Sequence, residues 1–339
     1  MFRWDVVANA LHSGPYYAIC KSQLDNDDAL DAEQAWTFWT KPRHRVVRQL
    51  ADLYPFPPVV RRRLRSITRS RHKGDLLDHY NVSNEFFLLF LDKRYRFYSC
   101  ANFDSPDDTL ELAQHKKAEF VLDLMQLRDG SSVLDLGCGW GGMMTFLQNT
   151  HPQLRASVTG VTLSKEQVSY IRSLGVGELM LVDFLAMDTP DPRYDSVVSL
   201  GAWEHIPPDQ VPLMYQKAYQ ALTPGGRFVA ELACDERQRP AAPLLLTDFF
   251  FSGFYLLHLH QHLTAATQAG FSVVHSTVQD YRPTWKEWFD RLAANRERAI
   301  ALAGLRTYKR YLLLFAIAWK MFDEGYASLW RVAFQKPPR

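Results

Sequence analysis

The stretch VLDLGCGWGG, residues 133–142, indicates the fold class of this chain of 339 residues. It predicts a buried strand that runs past Asp135 into a glycine turn, with Gly137 and Gly139, and then into a helix. Glycines let the backbone turn sharply and approach a ligand with no side chain in the way. The spacing GxGxGG differs from the GxGxxG of dinucleotide-binding proteins, and no P-loop lysine follows. The stretch therefore predicts a site for another nucleotide-like cofactor.

Composition is that of a globular protein with a substantial core, because 47% of the residues are apolar and 22% are charged. A net charge of +2 gives no reason to expect nucleic acid as a partner. The cysteines lack CxxC spacing, which argues against a zinc site or a disulfide framework and favours a reducing cytosol. No stretch has the apolar core of a signal peptide or the roughly 20 apolar residues that span a bilayer. These features predict a cytoplasmic protein.

Helices and short apolar strands alternate along the chain from residue 115. The predicted strands cover 132–136, 156–161, 178–182, 194–200 and 226–233, and the predicted helices cover 115–126, 142–149, 164–173 and 208–222. This alternation predicts an α/β, Rossmann-like domain in which a mostly parallel sheet is flanked by helices. Ligands of such sheets bind at the carboxyl ends of the strands, where the glycine turn lies.

Several motifs in one order resemble a single family, the cyclopropane-fatty-acyl-phospholipid synthases and their mycolic acid cyclopropane synthase and N-methyltransferase relatives. The motifs are HYNVSNEFFLLFLDKRYRFYSCANF (79–103), TLELAQHKK (109–117), VLDLGCGWGG (133–142), VTGVTLSKEQ (158–167), YDSVVSLGAWEHI (194–206) and LTPGGRF (222–228). DYRPTWKEW (280–288) and MFDEGYASLWRVAFQKP (321–337) match more weakly. The resemblance covers the chain from about residue 75 and implies a class I methyltransferase fold with S-adenosylmethionine as cofactor.

The resemblance also implies which residues hold that cofactor. They are Asp135, Gly137 and Gly139 at the turn, Thr162, Ser164 and Gln167 beside the ribose, Asp183 and Phe184 at the adenine, and Tyr80, Tyr98 and Ser99 over the methionyl end. Many enzymes that use this cofactor have an acidic residue after the second strand. This chain has GVTLSKEQ there, so neutral hydrogen bonds replace the carboxylate.

The segment WEHI, residues 203–206, carries the chemistry that the resemblance implies. An alkene attacks the electrophilic methyl group of the sulfonium, and a cyclopropane closes when a base removes a proton from that methyl. The surrounding site must exclude water and surround a carbocation with carboxylate and π electrons. The catalytic candidates are Cys100, Glu204, His205, Glu231 and Tyr281.

Glu231 is the point at which this chain departs from the family. In the family that the motifs resemble, the base is a bound bicarbonate, which is held partly by a histidine. The resemblance places Glu231 of this chain at the position of that histidine. A second carboxylate beside Glu204 would repel bicarbonate. The hypothesis is therefore that Glu231 replaces the bicarbonate and acts as the base. The alternative is a structural carboxylate paired with Arg237 or Arg239.

The N-terminal 75 residues precede the matching motifs and end in a basic run. The run RRRLRSITRSRHK begins at Arg61 and ends at Lys73, with no acidic residue. Such a run is attracted to an anionic membrane, and a solvated linker is the alternative. The predicted domains are a helical, basic segment at 1–75 and a methyltransferase domain at 76–339, in which 241–325 forms a helical substrate-pocket insertion and C-terminal helices.

The segment AAPLLLTDFFFSGFYLLHLHQHLT, residues 241–264, is apolar and aromatic. It suits either a tunnel for an acyl chain or a helical core. His258, His260 and His262 alternate, and on a strand they would share one face, as metal ligands do. No acidic or cysteine partner lies close in sequence, and methyl transfer from a sulfonium needs no metal. Polar residues at a pocket mouth, without a metal, are therefore the favoured interpretation.

Three functions are compatible with the sequence. The favoured one is a methyltransferase that acts on an alkene of a lipid or fatty acyl chain and forms a cyclopropane or a methyl branch, with peripheral contact to a membrane. An N-methyltransferase or a small-molecule tailoring enzyme is the second, in which Glu204 and His205 would orient an amine. A non-catalytic protein of this fold that binds lipid is the third.

Overall fold

The computed structural model describes residues 15–26, 30–40, 82–187, 193–236, 250 and 254–338. Two compact units divide the chain. The sheet unit consists of Leu91–Glu236, Tyr255–Thr284 and Ala327–Arg339, and the helical unit consists of Met1–Phe90, Arg237–Phe254 and Trp285–Tyr326. The predicted boundary at residue 75, the candidate Tyr80 and the basic run between Arg61 and Lys73 lie outside the described residues.

Helices and strands are numbered here in chain order. The helices are α1 (Pro15–Asp25), α2 (Ala32–Thr40), α3 (Asn84–Phe87), α4 (Leu110–Met125), α5 (Gly142–Thr150), α6 (Lys165–Leu174), α7 (Val211–Ala221), α8 (Leu259–Gln268), α9 (Arg282–Ala294) and α10 (Arg296–Asp323). The strands are β1 (Ser132–Leu136), β2 (Ser157–Thr162), β3 (Glu178–Leu181), β4 (Tyr194–Leu200), β5 (Leu222–Asp235), β6 (Ser272–Gln279) and β7 (Ala327–Gln335). Short 3-10 turns occupy Pro152–Leu154 and Trp203–His205.

The described strands of the sheet unit form one sheet in the order β3-β2-β1-β4-β5-β7-β6. Strands β1 to β5 pair in parallel, and β7 runs antiparallel between β5 and β6. The predicted α/β, Rossmann-like architecture with a mostly parallel sheet is therefore confirmed. Strands β6 and β7 were not predicted, because β6 is largely exposed and β7 carries a charged residue, Arg331, within its apolar run.

Three predicted element boundaries are wrong, each for a local reason. Helix α4 begins five residues earlier, because the Thr109 side chain caps it by accepting from the Leu112 N–H group. Helix α7 begins at Val211, after a turn in which the Gln210 N–H donates to the Pro207 carbonyl. Strand β5 extends back to residue 222, because Leu222 pairs with Tyr194 of β4, and Gly225 and Gly226 form backbone hydrogen bonds with Lys336 after β7.

Apolar side chains cover both faces of the sheet, as expected when helices pack on each side. Because side chains alternate along a strand, neighbouring residues serve opposite faces. One core cluster includes Leu134, Val197 and Phe228, and the other includes Val133, Val198 and Val229. Each such side chain stabilises the fold by about 1.5–3 kcal/mol when fully buried. This rigid sheet holds the ends of β1, β2 and β4 in place.

The turn after β1 depends on glycine at two positions. Gly137 has φ +80° and Gly139 has φ +55°, both in the left-handed region. A Cβ atom added at Gly137 would lie 2.5 Å from the Cβ of Ala202, so this turn packs tightly against the end of β4. At Gly139 an added Cβ would meet no described heavy atom within 4 Å. The backbone therefore borders open space at Gly139, as a cofactor cradle requires.

The two glycines should respond differently to alanine. We expect Gly137→Ala to destabilise the sheet unit strongly, because about 1–2 kcal/mol of left-handed strain adds to about 1–3 kcal/mol from overpacking against Ala202. Gly139→Ala adds the strain alone and should fold, with a weaker affinity for S-adenosylhomocysteine. Urea unfolding and titration calorimetry measure the two effects. Equal unfolding midpoints for the two variants would contradict this account of the turn.

Aromatic side chains form much of the core of the helical unit. Trp36 of α2 lies 4.7 Å, between ring centroids, from Phe289 of α9 and 5.5 Å from Trp319 of α10. The backbone of α10 leaves helical geometry at Gly304, which has φ 79° and ψ 159°. The residues described in the N-terminal segment form helices α1 and α2.

Candidate active site

Thr162, Ser164 and Gln167 form one hydrogen-bonded group where β2 enters α6. The Thr162 hydroxyl donates to Gln167 Oε1 at 2.6 Å and accepts from the Ser164 N–H at 3.2 Å. Ser164 Oγ caps α6 by accepting from the Gln167 N–H at 3.2 Å. All three residues are buried. The structure thus brings together the three residues predicted to lie beside the ribose.

Two acidic candidates follow neighbouring strands. Asp135, in β1, is buried, and burial raises the pKa of its carboxyl to about 7, although the charge of Lys117 lowers it. Asp183 follows β3 and accepts from the Leu185 N–H at 2.9 Å, which forms a tight turn. Phe184, within that turn, is half-buried and packs against a core cluster of the sheet. Both acidic residues lie near the carboxyl ends of parallel strands, where ligands of such sheets bind.

The loop that carries Tyr98 and Ser99 lies against the end of β4. A Cβ atom added at Gly201 would lie 3.6 Å from Ser99 Cβ and 3.9 Å from the Tyr98 carbonyl oxygen. The Ser99 carbonyl accepts from Gln114 Nε2 at 2.9 Å, and Ser99 Oγ accepts from Lys117 Nζ at 2.8 Å. Two buried side chains of α4 therefore hold Ser99 in place.

Glu204 lies in the 3-10 turn after β4 and is 6% exposed. Its Oε1 accepts from the Ala233 N–H at 2.8 Å. Its Oε2 is buried and has no hydrogen-bond partner within the described part of the chain. Burial, with a smaller contribution from the charge of Glu231, raises the pKa of this carboxyl to about 7. A carboxylate with an uncommitted oxygen and a pKa near neutrality is suited to proton transfer. The adjacent His205 is half-buried in the same turn.

Glu231 is fully buried and forms an ion pair with Arg331, which is also fully buried. Arg331 Nε donates to Glu231 Oε2 at 2.9 Å, and the Cys100 N–H donates to Glu231 Oε1 at 3.0 Å. Arg331 Nη2 also donates to the Cys100 carbonyl at 2.9 Å. Arg331 is thus an ion partner of Glu231 that the sequence-based alternatives, Arg237 and Arg239, did not include. Those two arginines lie outside the described residues.

Tyr281 is close to the other catalytic candidates. Burial raises the pKa of its phenol well above 10, and the charges of Glu231, Cys100 and Glu204 raise it further. The Cys100 thiol donates at 3.7 Å to the carbonyl of Asp280, the residue before Tyr281. The structure therefore groups Cys100, Glu204, Glu231 and Tyr281 in the sheet unit.

The three alternating histidines do not lie on a strand. His258 is the N-cap residue of α8, and His260 and His262 lie within that helix. His262 is buried in the core, where Nδ1 lies 3.2 Å from the Tyr215 hydroxyl, and burial lowers its pKa to about 4. The placement of His262 at a pocket mouth is therefore wrong. Among the described residues, no group of three or more His, Cys, Asp or Glu side chains is arranged to hold a metal ion.

Three buried residues of the site were not predicted: Gln114, Lys117 and Arg331. All three lie inside motifs that were quoted for the resemblance, in TLELAQHKK and in MFDEGYASLWRVAFQKP. The signal available in the sequence was a charged or amide residue within an apolar helix or strand. That signal alone does not say which loop the side chain reaches.

The sheet order, the glycine turn and the grouped side chains define the class of protein as an S-adenosylmethionine-dependent methyltransferase with the class I fold. The family model of mycolic acid cyclopropane synthetase matches residues 67–332. The chain therefore belongs to the mycolic acid cyclopropane synthetase family and is an enzyme of that class.

Relatives and solved structures agree with this assignment. A probable fatty acid methyltransferase of Pseudomonas putida is 32% identical over 275 residues, which is 76% of this chain and 68% of the relative. Cyclopropane mycolic acid synthase 3 of Mycobacterium tuberculosis is 28% identical over 302 residues, 80% of this chain and 100% of the relative. The structure of the cyclopropane synthase MmaA2 from Mycobacterium tuberculosis has a TM-score of 0.72 and 27% identity, covering 78% of this chain and 98% of that one.

Two further structures extend the comparison. Mycolic acid cyclopropane synthase CmaA1, complexed with S-adenosylhomocysteine and CTAB, has a TM-score of 0.72 and 28% identity, over 78% of this chain and 98% of that chain. The structure of coclaurine N-methyltransferase matches 94% of this chain and 99% of the coclaurine enzyme's chain with a TM-score of 0.71, but its 20% identity shows a shared fold alone.

Within the described ranges, no helix has both the length and the apolar character needed to cross a membrane.

Proposed function

We propose that this enzyme methylates a carbon–carbon double bond in a lipid acyl chain and forms a cyclopropane or a methyl branch. The relatives support a lipid substrate, since they are named as a fatty acid methyltransferase and as cyclopropane mycolic acid synthases. The CmaA1 structure supports it too, because CTAB is a detergent with a long alkyl chain. The observation that carries the proposal is the buried, uncommitted carboxylate oxygen of Glu204.

The residues at the strand ends fit S-adenosylmethionine. Open space borders Gly139, and the buried Asp135 lies in β1, the strand that leads into the same turn. We assign the cofactor to these residues and to the Thr162, Gln167 and Ser99 groups, with Asp183, Phe184 and Tyr98 as further contacts. When bound, the cofactor supplies an electrophilic methyl group.

The enzyme's own part in the reaction is to shield a carbocation and to remove one proton. Transfer of that methyl group to the alkene, with the electrons of the broken sulfur–carbon bond left on sulfur, would leave a positive charge on the acyl chain. Glu204 stabilises that charge and accepts a proton from the transferred methyl, and the released C–H electron pair closes the ring. The low-dielectric surroundings that raise the Glu204 pKa also strengthen its attraction for a cation.

Glu231 has a different role in this proposal from the one predicted from sequence. Both of its oxygens accept hydrogen bonds, one from Arg331 and one from the Cys100 N–H. Its carboxylate thus supplies the negative charge next to Cys100 that a bound bicarbonate would supply. We therefore propose that Glu231 makes bicarbonate unnecessary, while Glu204 is the base.

Deuterium labelling tests the proposed reaction. The purified enzyme receives S-adenosylmethionine with a trideuterated methyl group, together with unsaturated phospholipids, free fatty acids and a panel of small amines. For ring closure we expect a lipid product that retains two of the three deuterium atoms, because the base removes one from the methyl. A labelled lipid that retains all three would indicate a methyl branch and would contradict proton removal from the methyl by Glu204. A fully labelled methyl on an amine, with no labelled lipid, would contradict the proposal and establish the N-methyltransferase alternative.

A further inference from the structure

One face of α4 brings two buried polar side chains onto a single residue. Gln114 and Lys117 are one helical turn apart, and neither is exposed. Gln114 donates to the Ser99 carbonyl at 2.9 Å, and Lys117 Nζ donates to Ser99 Oγ at 2.8 Å. The first contact fixes the backbone of Ser99. The second is unusual, because it places an amine where water cannot solvate it.

Burying an ammonium group costs free energy unless the group is paired and hydrogen-bonded, so packing alone does not explain this lysine. Its Nζ lies 3.4 Å from the centroid of the Phe97 ring, and Ser99 Oγ is its hydrogen-bond acceptor within the described residues. Burial lowers the pKa of Lys117 to about 7, while the charges of Glu231 and Asp92 favour the ammonium form and the charge of Arg331 opposes it. A methionine of similar length would fill the same space without this cost. The cation is therefore kept for its charge and its N–H groups.

The hydrogen bond from Lys117 determines what the Ser99 hydroxyl can do. An ammonium group donates and cannot accept, so Ser99 Oγ must use a lone pair to receive it. The hydroxyl hydrogen then points away from Lys117, and no second described group bonds to Ser99 Oγ. Ser99 lies against Gly201 at the end of β4. The Ser99 hydroxyl, with its hydrogen available for donation, therefore lies at the same edge of the sheet as the glycine turn.

We propose that Lys117 is a positioning residue that makes Ser99 a hydrogen-bond donor for the α-carboxylate of S-adenosylmethionine. This inference rests on the proposed cofactor site. Asp135 supplies the complementary half, because its carboxylate suits the α-ammonium group of the same amino-acid end. Asp135 lies in β1, which pairs with β4, and Ser99 lies against Gly201 at the end of β4. The charge of Lys117 lowers the pKa of Asp135, in agreement with this placement. Together they recognise a zwitterion: Asp135 binds its cation, and Ser99, oriented by Lys117, binds its anion.

Calorimetric binding of two ligands to Lys117→Met tests this role. S-adenosylhomocysteine carries the amino-acid end, and 5′-methylthioadenosine lacks it. With wild type and variant compared at pH 7, we expect the variant to bind S-adenosylhomocysteine about ten- to a hundredfold more weakly, as for loss of a charge-supported hydrogen bond, with unchanged affinity for 5′-methylthioadenosine. Equal weakening of both ligands indicates a loosened site and overturns the proposal, as does unchanged binding of both.

Two further variants make the test decisive. Lys116→Met is the matched control, because this neighbouring lysine pairs with Asp104 and Asp108 instead, and it should bind both ligands like wild type. Ser99→Ala should show the same selective loss as Lys117→Met, and the double variant should lose little more than either single one. If Lys117→Met does not fold, Ser99→Ala decides, and the absence of a selective loss overturns the proposal. Failure of wild type to bind S-adenosylhomocysteine would instead refute the cofactor site itself.

Discussion

Glu204→Gln is expected to lower kcat by about 10²–10⁴-fold, the usual effect of removing a general base. The amide cannot accept the proton from the transferred methyl, although its shape and its bond from the Ala233 N–H can be retained. Affinity for S-adenosylhomocysteine should stay within about twofold of wild type, because Glu204 acts on the methylated carbocation and not on the bound cofactor. Single-turnover rates and calorimetry separate the two quantities.

The pH dependence of kcat in the wild-type enzyme should report the ionisation of Glu204. Because burial raises the pKa of Glu204 to about 7, kcat should fall as the pH decreases below about 7 and the carboxyl becomes protonated. The rates are measured at saturating cofactor, since the pKa of Asp135 is also raised to about 7 and affects cofactor binding. The residual activity of Glu204→Gln should lack this rise with pH.

Glu231→Gln distinguishes the two carboxylates. In our assignment a folded Glu231→Gln enzyme loses less kcat than Glu204→Gln, because the base is still present although the negative charge beside Cys100 is gone, and removing dissolved bicarbonate does not affect wild type. The opposite result would show that Glu231 is the base: a folded Glu231→Gln enzyme would lose about 10²–10⁴-fold in kcat, and Glu204→Gln would remain active.

Arg331→Met is expected to lower the free energy of unfolding by about 3–5 kcal/mol, as for a buried ion pair that loses one partner. Glu231 would remain fully buried without its cation. The Cys100 carbonyl and Gln279 Oε1 would also lose the donors that Arg331 supplies at 2.9 and 3.0 Å. Each unsatisfied buried acceptor adds to the loss. Urea unfolding followed by circular dichroism measures the change.

Two comparisons show whether the buried charge is the cause. The double variant Glu231→Leu with Arg331→Met should regain part of the lost stability, because it removes both charges together. Arg155→Met breaks an exposed pair with Asp129 and should leave the unfolding midpoint unchanged. If Arg331→Met unfolded at the same urea concentration as Arg155→Met, the buried ion pair would not contribute to the free energy of unfolding.

Local patterns predicted most of the fold and part of the site. The glycine turn at Gly137 and Gly139, the alternation of helices and apolar strands and the order of the motifs each involve residues close in sequence. They led to the correct class of fold, family and cofactor. The prediction located Glu204 and Glu231 at neighbouring strand ends, because carboxyl ends of parallel strands share one edge of a sheet. The same local evidence left the roles of these two carboxylates undetermined.

The sequence by itself thus determined that this chain is a class I methyltransferase of the mycolic acid cyclopropane synthetase family. Only the tertiary structure decided which buried charges meet. Arg331 lies opposite Glu231 because the antiparallel register of β5 and β7 pairs these two positions, although 100 residues separate them. Lys117 reaches Ser99 because α4 packs its buried face against that loop. Hydrophobic periodicity predicts which face of a strand or helix is buried, and for strands it excludes registers that would turn the apolar residues outward. It does not say which distant element a buried side chain will meet.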